Sequence, residues 1–501
     1  MGEALGDGGK GARAVTDWLL HLYHYSPYPL KVLAATAKGY YLRWWRYGPE
    51  TERLVQEALE RESWSPEKWR AWQEERLARV LHRAATQVPY YREQWARRRR
   101  QGDRASWEYL ENWPVLDKEP LRQNPAAFVA DGCQLWRMFP ESTSGSTGTP
   151  LNLWQSRKTV QAWYALCEAR WRRWYAVSRH DRWAILGGKL VAPVGRRQPP
   201  FWVWNGALHQ LYFSAYHLAP DLIPHYLEAL RRYRIKYLWG YTSSLHALAQ
   251  EVLRSRRGDL SMTVVITNAE SLFDYQRQTI EAAFQCPVRE TYGMSEIVAA
   301  ASECEAGNLH QWPETGLVEV LADGKPADLG SSGDLVCTGL LNEDMPLIRY
   351  RVDDRGALAA TDGVCPCGRS LPLLASIDGR SDDVLYMPDG RSIGRLDHLF
   401  KTKLSIREAQ IIQEAPDRIR VRYVPALDFT PEAARYIVER LIDRLGQIEV
   451  TMEAVSEIPR GPNGKFRGVV CNLSQKEIER LSRGNTAINM ISTQSDRRTN
   501  L

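Results

Sequence analysis

Lysine is scarce in this chain: 13 of the 66 basic residues are lysine and 53 are arginine. A point-charge lysine inside a glycine-rich turn is therefore an uncommon event. Phenylalanine (9) is outnumbered by tryptophan (19) and tyrosine (23), so most aromatic rings carry a polar handle. Eight cysteines in 501 residues exclude a disulfide scaffold. No run of about 18 apolar residues occurs, which excludes a spanning helix. The opening MGEALGDGGKGARAV has no apolar stretch behind a basic start, so a secretory signal is not expected. Reduced thiols and a cytoplasmic location follow as expectations. A formal charge of +6 and a pI of about 8.8 are too balanced for a dedicated nucleic-acid binder. Nucleotide phosphates remain open as partners.

What is present reads as a globular chain, with 44% hydrophobic and 25% charged residues. Residues 15–47 hold aromatics and aliphatics around Ser26-Pro27-Tyr28-Pro29 and end in Trp44-Trp45-Arg46-Tyr47. Two readings stand: a helical arm packed on the main body, or amphipathic helices lying on a membrane surface. Residues 50–110 place Leu54, Leu59, Trp69, Trp72, Leu77, Val80 and Leu81 at helical spacing. From 140 to 380, short apolar runs at 183–186, 237–239, 264–267 and 335–338 alternate with helical stretches at 157–177, 221–232, 243–255 and 273–284. That alternation predicts an α/β fold with a mostly parallel sheet. After 383 a hairpin at Met387–Gly390, a strand at 419–424, a helix at 430–445 and a strand at 450–455 predict a small α+β domain.

The densest chemical signal is Ser142-Thr143-Ser144-Gly145-Ser146-Thr147-Gly148-Thr149-Pro150, with six hydroxyls and two glycines in its first eight residues. Converging backbone N–H groups and hydroxyl donors suit phosphate oxygens, although a plain Ser/Gly linker has similar composition. No Lys-Ser/Thr pair follows, so this is not a Walker loop. A cation must come from elsewhere, and Lys465 in Gly461-Pro462-Asn463-Gly464-Lys465 is the candidate. In Glu290-Thr291-Tyr292-Gly293-Met294-Ser295-Glu296, a tyrosine can stack on a base and the glutamate four residues on can hold Mg²⁺. Asp353 and Asp354 close the strand-like PLIRYRVDD, where a carboxylate can accept ribose hydroxyls. Cys365-x-Cys367 between two glycines can aim two thiolates at one metal. Cys304 and His310 are candidates to complete a Cys₃His set, the composition of a structural zinc site; the alternative is four unrelated residues. Cys167, Cys286, Cys337 and Cys471 read as small buried apolar residues. Phe201, Trp202, Trp204, Tyr212, Phe213 and Tyr216 are either an aromatic-lined acid pocket or core.

Taken in order, STSGSTGTP, TYGMSE, PLIRYRVDD, GRSDD and GPNGK resemble the adenylate-forming ligase superfamily. Val88-Pro89-Tyr90-Tyr91-Arg92, Trp113-Pro114-Val115-Leu116-Asp117-Lys118, Cys365-Pro366-Cys367-Gly368-Arg369 and the Gly464-Lys465-Phe466-Arg467 ending narrow the resemblance. They point to the phenylacetate–CoA ligase-like branch and its CapK-type members. The resemblance implies a large multi-layer α/β domain with a helical N-terminal arm and a small α+β C-terminal lid. The corresponding boundaries are 1–125 for the arm and start of the large domain, 126–381 for its ATP- and acid-binding core, 382–485 for the mobile lid and 486–501 for a disordered tail. It implies ATP and Mg²⁺ as cofactors, and a comparable cysteine cluster supports structural zinc.

The implied reaction adenylates a small carboxylic acid, with CoA, a carrier-protein thiol or a small nucleophile as acceptor. Ser142, Thr143, Ser144, Gly145, Ser146, Thr147 and Gly148 would hold phosphates, with Ala269, Glu270 and Tyr292 at the adenine. Glu296 would hold Mg²⁺, Asp354 the ribose and Arg380 the ribose or phosphate. Asp382 would be the hinge and Lys465 the adenylation lysine. Val384–Arg395 departs from the CoA-ligase pattern and looks CapK-like, so the acceptor stays open. The competing reading is a non-catalytic nucleotide-binding assembly factor in a polysaccharide or secondary-metabolite pathway.

Overall fold

Proline and serine mark the helix starts in the first part of the chain. The computed structural model describes residues 23–142, 151–189, 191–193, 196–218, 221–256, 258–360, 365–380, 385–388, 392–393, 406–426, 429–445, 448–459, 466–474, 476–478 and 480–481. Helix α1 (Tyr28–Arg46) begins on Pro27 and carries Pro29 in its first turn, where a missing N–H costs nothing. Arg43 and Arg46 fill its last turn, matching the helix dipole. It is followed by α2 (Thr51–Glu60), α3 (Pro66–Gln87), α4 (Pro89–Arg100) and the short α5 (Lys118–Gln123). Ser65 caps α3 by accepting from the Lys68 amide at 3.3 Å, with Pro66 at the first helical position. The expected apolar stripe holds, with Trp69, Val80 and Leu81 buried.

The α1 helix is indeed packed on the main body. Gly39 makes this possible: a Cβ there would lie 2.0 Å from Asn205 Oδ1. The Gly206 amide donates to Thr36 Oγ1 at 3.1 Å, and the Tyr28 and Tyr233 hydroxyls meet at 2.9 Å. Among the described residues no helix is long and apolar enough to cross a membrane.

A two-stranded ribbon, β1 (Phe139–Ser142) with β2 (Asn152–Gln155), precedes helix α6 (Arg157–Trp171). The parallel strands then come in turn: β3 (Trp183–Gly187), β4 (Trp202–Asn205), β5 (Gln210–Ser214), β6 (Tyr237–Tyr241), β7 (Val264–Asn268) and β8 (Val288–Gly293). Within this group β4 alone runs against the others, antiparallel to β5. Helices α7 (Ile223–Arg232), α8 (Thr242–Arg254) and α9 (Asp274–Phe284) connect them. β6 and β7 are buried over four consecutive residues, as strands covered on both faces must be.

The sheet continues as an antiparallel set: β9 (Ala300–Glu303), β10 (Leu309–Gln311), β11 (Gly316–Ala322), β12 (Lys325–Pro326), β13 (Gly333–Gly339), β14 (Tyr350–Leu358) and β15 (Leu373–Arg380). All thirteen strands from β3 to β15 form one sheet, in the order β12-β11-β13-β14-β15-β10-β9-β8-β7-β6-β3-β5-β4. The expectation of a mostly parallel sheet therefore holds only between β5 and β8. Helical crossovers stop after α9, and hairpin turns can only produce antiparallel neighbours.

Beyond it, β16 (Leu385–Tyr386) pairs with β17 (Ser392–Ile393). A four-stranded sheet of β18 (Ile406–Ala415), β19 (Arg418–Pro425), β20 (Glu449–Ala454) and β21 (Val469–Cys471) packs with helix α10 (Pro431–Leu445) around Ile411, Ile419, Val421, Ile437 and Leu441. The architecture is the expected α/β body with a small α+β unit. Strands β18 and β21 are the elements of this unit that the sequence pattern does not name, and β18 is the longer. The centre of β18 alternates nothing, because Gln410 and Gln413 are buried beside Ile411 and Ile412. Gln413 serves the Tyr386 backbone: Nε2 donates to its carbonyl at 2.7 Å and Oε1 accepts from its amide at 2.9 Å.

The aromatic run divides. Phe201 and Phe213 are fully buried core, Trp204 stacks on Tyr233 with centroids 5.2 Å apart, and the Tyr216 side chain lies outside the described residues. Cys167, Cys286 and Cys337 are buried as expected, whereas Cys471 is only half-buried.

One ion network ties the arm to the sheet. The Arg170 side chain, with no exposed surface, donates to both Glu314 oxygens at 2.7 and 2.9 Å and to the Ala58 carbonyl at 3.3 Å. Glu62 sits 3.5 Å from Arg170 Nε and accepts from Trp174 Nε1 at 2.7 Å and Arg369 Nε at 3.1 Å. Burial pushes the Glu62 carboxyl above its ordinary range, against the pull of Arg170. Removing one partner of a buried pair strands the other charge, at a cost of about 3–5 kcal/mol. Arg170→Ala should therefore lower unfolding stability by about that amount. Denaturant titration followed by far-UV circular dichroism measures it, and a loss below about 1 kcal/mol would refute the role given to this network.

Candidate nucleotide-binding site and cysteine–histidine cluster

Strand β8 is shared between the two halves of the large sheet. Its first part, Val288–Glu290, pairs in parallel with β7, and Thr291–Gly293 pairs antiparallel with β9. The Thr291 hydroxyl donates to the Thr267 carbonyl at 2.7 Å, holding the β7 and β8 ends together. In open α/β sheets such carboxyl ends of strands are where ligands bind.

Tyr292, at the end of β8, donates its hydroxyl to Asp354 Oδ2 at 2.7 Å. Burial first, and then the Asp354 charge, push the Tyr292 phenol well above its ordinary pKa, so it remains a donor. Asp354 reaches this position through a β-bulge. The register passes from Val336 opposite Arg351 to Asp334 opposite Arg355, so β14 carries extra residues there. Asp353 pays for the bend with φ +64° and pairs with Lys118 Nζ at 2.7 Å. On the other side Asp354 lies opposite Arg380 of β15. The Arg380 side chain lies outside the described residues.

Glu296 follows three residues after β8. Its Oε1 accepts from the Tyr350 hydroxyl at 2.9 Å. Burial and the Glu296 charge raise the Tyr350 pKa. Two carboxylates thus each have one oxygen fixed by a tyrosine. The β1–β2 ribbon lies against the same turn, because Gln155 Nε2 donates to the Ser295 carbonyl at 3.3 Å. Ser142 ends β1 opposite Asn152, so the strands holding the two ends of the Ser/Thr-rich loop are paired. Thr143, Ser144, Gly145, Ser146, Thr147 and Gly148 themselves lie outside the described residues, as do Asp382 and Lys465.

At the end of β7, Ala269 adopts φ +62° and turns the chain into Glu270. The Glu270 carboxylate accepts from the Ser243 amide at 2.8 Å and the Ser243 hydroxyl at 3.1 Å, in the first turn of α8. Its Oε1 also accepts from the Phe466 amide at 2.7 Å. Glu270 therefore joins the large sheet to the small unit one residue after Lys465.

Cys304, His310, Cys365 and Cys367 come together, with ligand atoms all within 4.8 Å of one another. Cys304 Sγ lies 3.7 Å from Cys365 Sγ, and Cys367 Sγ lies 3.4 Å from His310 Nε2. With metal–sulfur bonds of about 2.3 Å and metal–nitrogen bonds of about 2.0–2.1 Å, tetrahedral edges fall close to these separations. A backbone carbonyl orients the imidazole: His310 Nδ1 bonds the Leu371 carbonyl at 3.1 Å, which turns Nε2 to the thiols. Burial opposes the Cys365 thiolate, but the Cys367 amide and the Asn308 side chain, 3.2 Å away, bring its pKa below the ordinary value. Arg369 links the cluster's loop to Glu62.

The sequence assigned no role to Tyr350, Ser243, Lys118 or Asn308. Tyr350 and Lys118 lie inside quoted motifs, so position relative to the carboxylates was the available signal. Ser243 had none.

Comparison with known proteins fits this architecture. Residues 385–472 match the CapK C-terminal domain family. The chain is 26% identical over 367 residues to Protein CapK of Staphylococcus aureus, covering 72% of this chain and 80% of that one. It is 25% identical over 476 residues to the phenylacetate-coenzyme A ligase of Thermus thermophilus, covering 85% of this chain and 99% of that one. Among solved structures, 2-hydroxyisobutyryl-CoA ligase in the postadenylation state superposes with a TM-score of 0.63 at 19% identity, over 85% of this chain and 94% of that one. In fold the protein is thus of the adenylate-forming ligase type. In sequence it resembles the phenylacetate–CoA ligase-like branch, with a CapK-type C-terminal segment.

The Glu270–Phe466 contact is directly testable. A hydrogen bond to a charged group contributes about 1.5–3 kcal/mol. Glu270→Ala should therefore speed hydrogen exchange of the peptide containing Phe466 by about 10- to 100-fold. Unchanged exchange at that amide would show that Glu270 does not hold the segment.

Proposed function

We propose that the protein is an adenylate-forming ligase that activates a small carboxylic acid. The acid's carboxylate oxygen bonds to the α-phosphorus of ATP, the bond to pyrophosphate breaks, and acyl-AMP remains. A nucleophile then takes the acyl group and AMP leaves. The acceptor is a thiol such as CoA or a carrier-protein arm, or a small amine or alcohol. The observation that carries this reading is the bonding of Tyr292 to Asp354 and of Tyr350 to Glu296 beside the end of β8, with Glu270 at the end of the neighbouring β7 bonded to the residue after Lys465.

Each residue then has a physical task. Asp354, fixed by Tyr292, accepts the ribose hydroxyls through its remaining lone pairs. Ala269 and Glu270 border the adenine side, with the Tyr292 ring beside them. Ser142 and the Thr143–Gly148 loop donate to phosphate oxygens. Glu296, steadied by Tyr350, would hold Mg²⁺, which neutralises charge on the phosphates. Lys465 stabilises the charge that develops at the transferred phosphorus. Arg380 assists at the ribose or phosphate, and Asp382 is the hinge that withdraws the lysine for the second step. Cys304, His310, Cys365 and Cys367 would hold a structural Zn²⁺ that staples the β9–β10 hairpin to the loop before β15.

ATP–pyrophosphate exchange over a panel of carboxylic acids tests the activity. Lys465→Ala should lose about 10²- to 10³-fold in exchange rate while still binding ATP. ATP binding with no exchange for any acid would favour the nucleotide-binding assembly factor instead. Elemental analysis of purified protein should find about one zinc per chain. Chelation should lower the melting temperature, and metal-free protein with unaltered melting would remove the zinc assignment.

A further inference from the structure

Helix α1 meets the body with one face and leaves the opposite face apolar. Lys31, Gly39 and Trp45 are buried beneath it. Leu30, Leu33, Tyr40, Tyr41 and Trp44 are 54, 65, 61, 43 and 53% exposed. At 3.6 residues per turn these five fall within an arc of about 100°, so they form one stripe along the helix. The stripe cannot fold inward, because the Thr36, Tyr28 and Gly39 contacts fix the helix from behind.

Charge selects the occupant. The helix has four basic residues and no carboxylate in Tyr28–Arg46. Lys38 and Arg43, both exposed, flank the stripe on its two sides, about 60° beyond each edge. Lys38 Nζ stands 4.3 Å from the centre of the Tyr41 ring. Arg157 adds a third cation at the end of the stripe: its guanidinium lies 4.1 Å from the Trp44 ring centre, and its Nε donates to the Trp44 carbonyl at 3.0 Å. A second copy of this chain, with net charge +6, would bring like charge to this rim. Tyrosine and tryptophan rings between leucines and cations suit the boundary between headgroups and acyl chains.

We propose that the outer face of α1 seats the protein flat on an anionic lipid bilayer. Leu30, Leu33, Tyr40, Tyr41 and Trp44 enter the interface, while Lys38, Arg43 and Arg157 meet the headgroups. This does not depend on the adenylation reading.

The test is co-sedimentation of the full chain with vesicles of mixed phosphatidylglycerol and phosphatidylcholine, against phosphatidylcholine alone, at low and high salt. Partitioning should favour the anionic vesicles by at least about tenfold and fall with salt. Leu33→Asp with Trp44→Ser should abolish it. Lys38→Glu and Arg43→Glu should each weaken it by about fivefold or more. All of these positions are exposed, and an unchanged melting temperature confirms folding. Equal partitioning on both vesicle types, or none, overturns the proposal. A concentration-dependent dimer in sedimentation velocity that Leu33→Asp dissolves would assign the face to a second copy. Binding that appears only after deletion of residues 1–22 would show that the chain covers its own stripe, and would equally overturn it.

Discussion

A strand with two different neighbours governs this molecule. β8 is parallel to β7 over one half and antiparallel to β9 over the other. It can satisfy both ladders only because its length is divided between them. The helical crossovers end on one side and the hairpins begin on the other. Three of the residues proposed to touch nucleotide stand at this seam or on the neighbouring strand, and a fourth, Asp354, reaches it from β14. Tyr292 and Glu296 leave the end of β8, Glu270 leaves the end of β7, and Asp354 is swung toward Tyr292 by the β14 bulge. Moving the seam by one residue would turn Tyr292 to the opposite face of the sheet.

The site's carboxylates share a design. Asp354, Glu296 and Glu270 each have at least one oxygen held by a donor from a different element: Tyr292, Tyr350 and Ser243. A carboxylate tethered at one oxygen has little rotamer freedom left to lose when a ligand arrives, so binding meets a smaller entropic cost. The phenols are suited to this task because burial and adjacent negative charge hold them protonated. The cysteine–histidine cluster stands apart from these donors. It is joined through Arg369 and Glu62 to the Arg170 network beneath the helical arm.

Much of the fold was legible because its signals are local. Buried parallel strands read as unbroken apolar runs, and the helices between them as 3.6-residue periodicity. The antiparallel half was misread because a strand carries no mark of its neighbour's direction. β18 was missed because its interior positions include Gln410 and Gln413, which pattern reading assigns to solvent. Residue types in order single out Tyr292, Glu296, Asp354 and the four metal-ligand candidates, and the structure brings Tyr292 to Asp354 and the four candidates to one another. How they pair was not legible, because the Tyr292–Asp354 pair spans 62 positions and the Glu270–Phe466 pair spans 196. Thr143–Gly148, Asp382 and Lys465 lie outside the described residues and remain as the sequence presents them.

The clasp between Glu270 and residue 466 uses a main-chain N–H as its donor. It is therefore blind to the side chain at 466. Nineteen of the twenty amino acids could stand there and present the same hydrogen, and proline alone could not. The large sheet thus recognises the small unit by its backbone path. The side chains around that path are left free to diverge with whatever acid or acceptor a descendant of this chain comes to use.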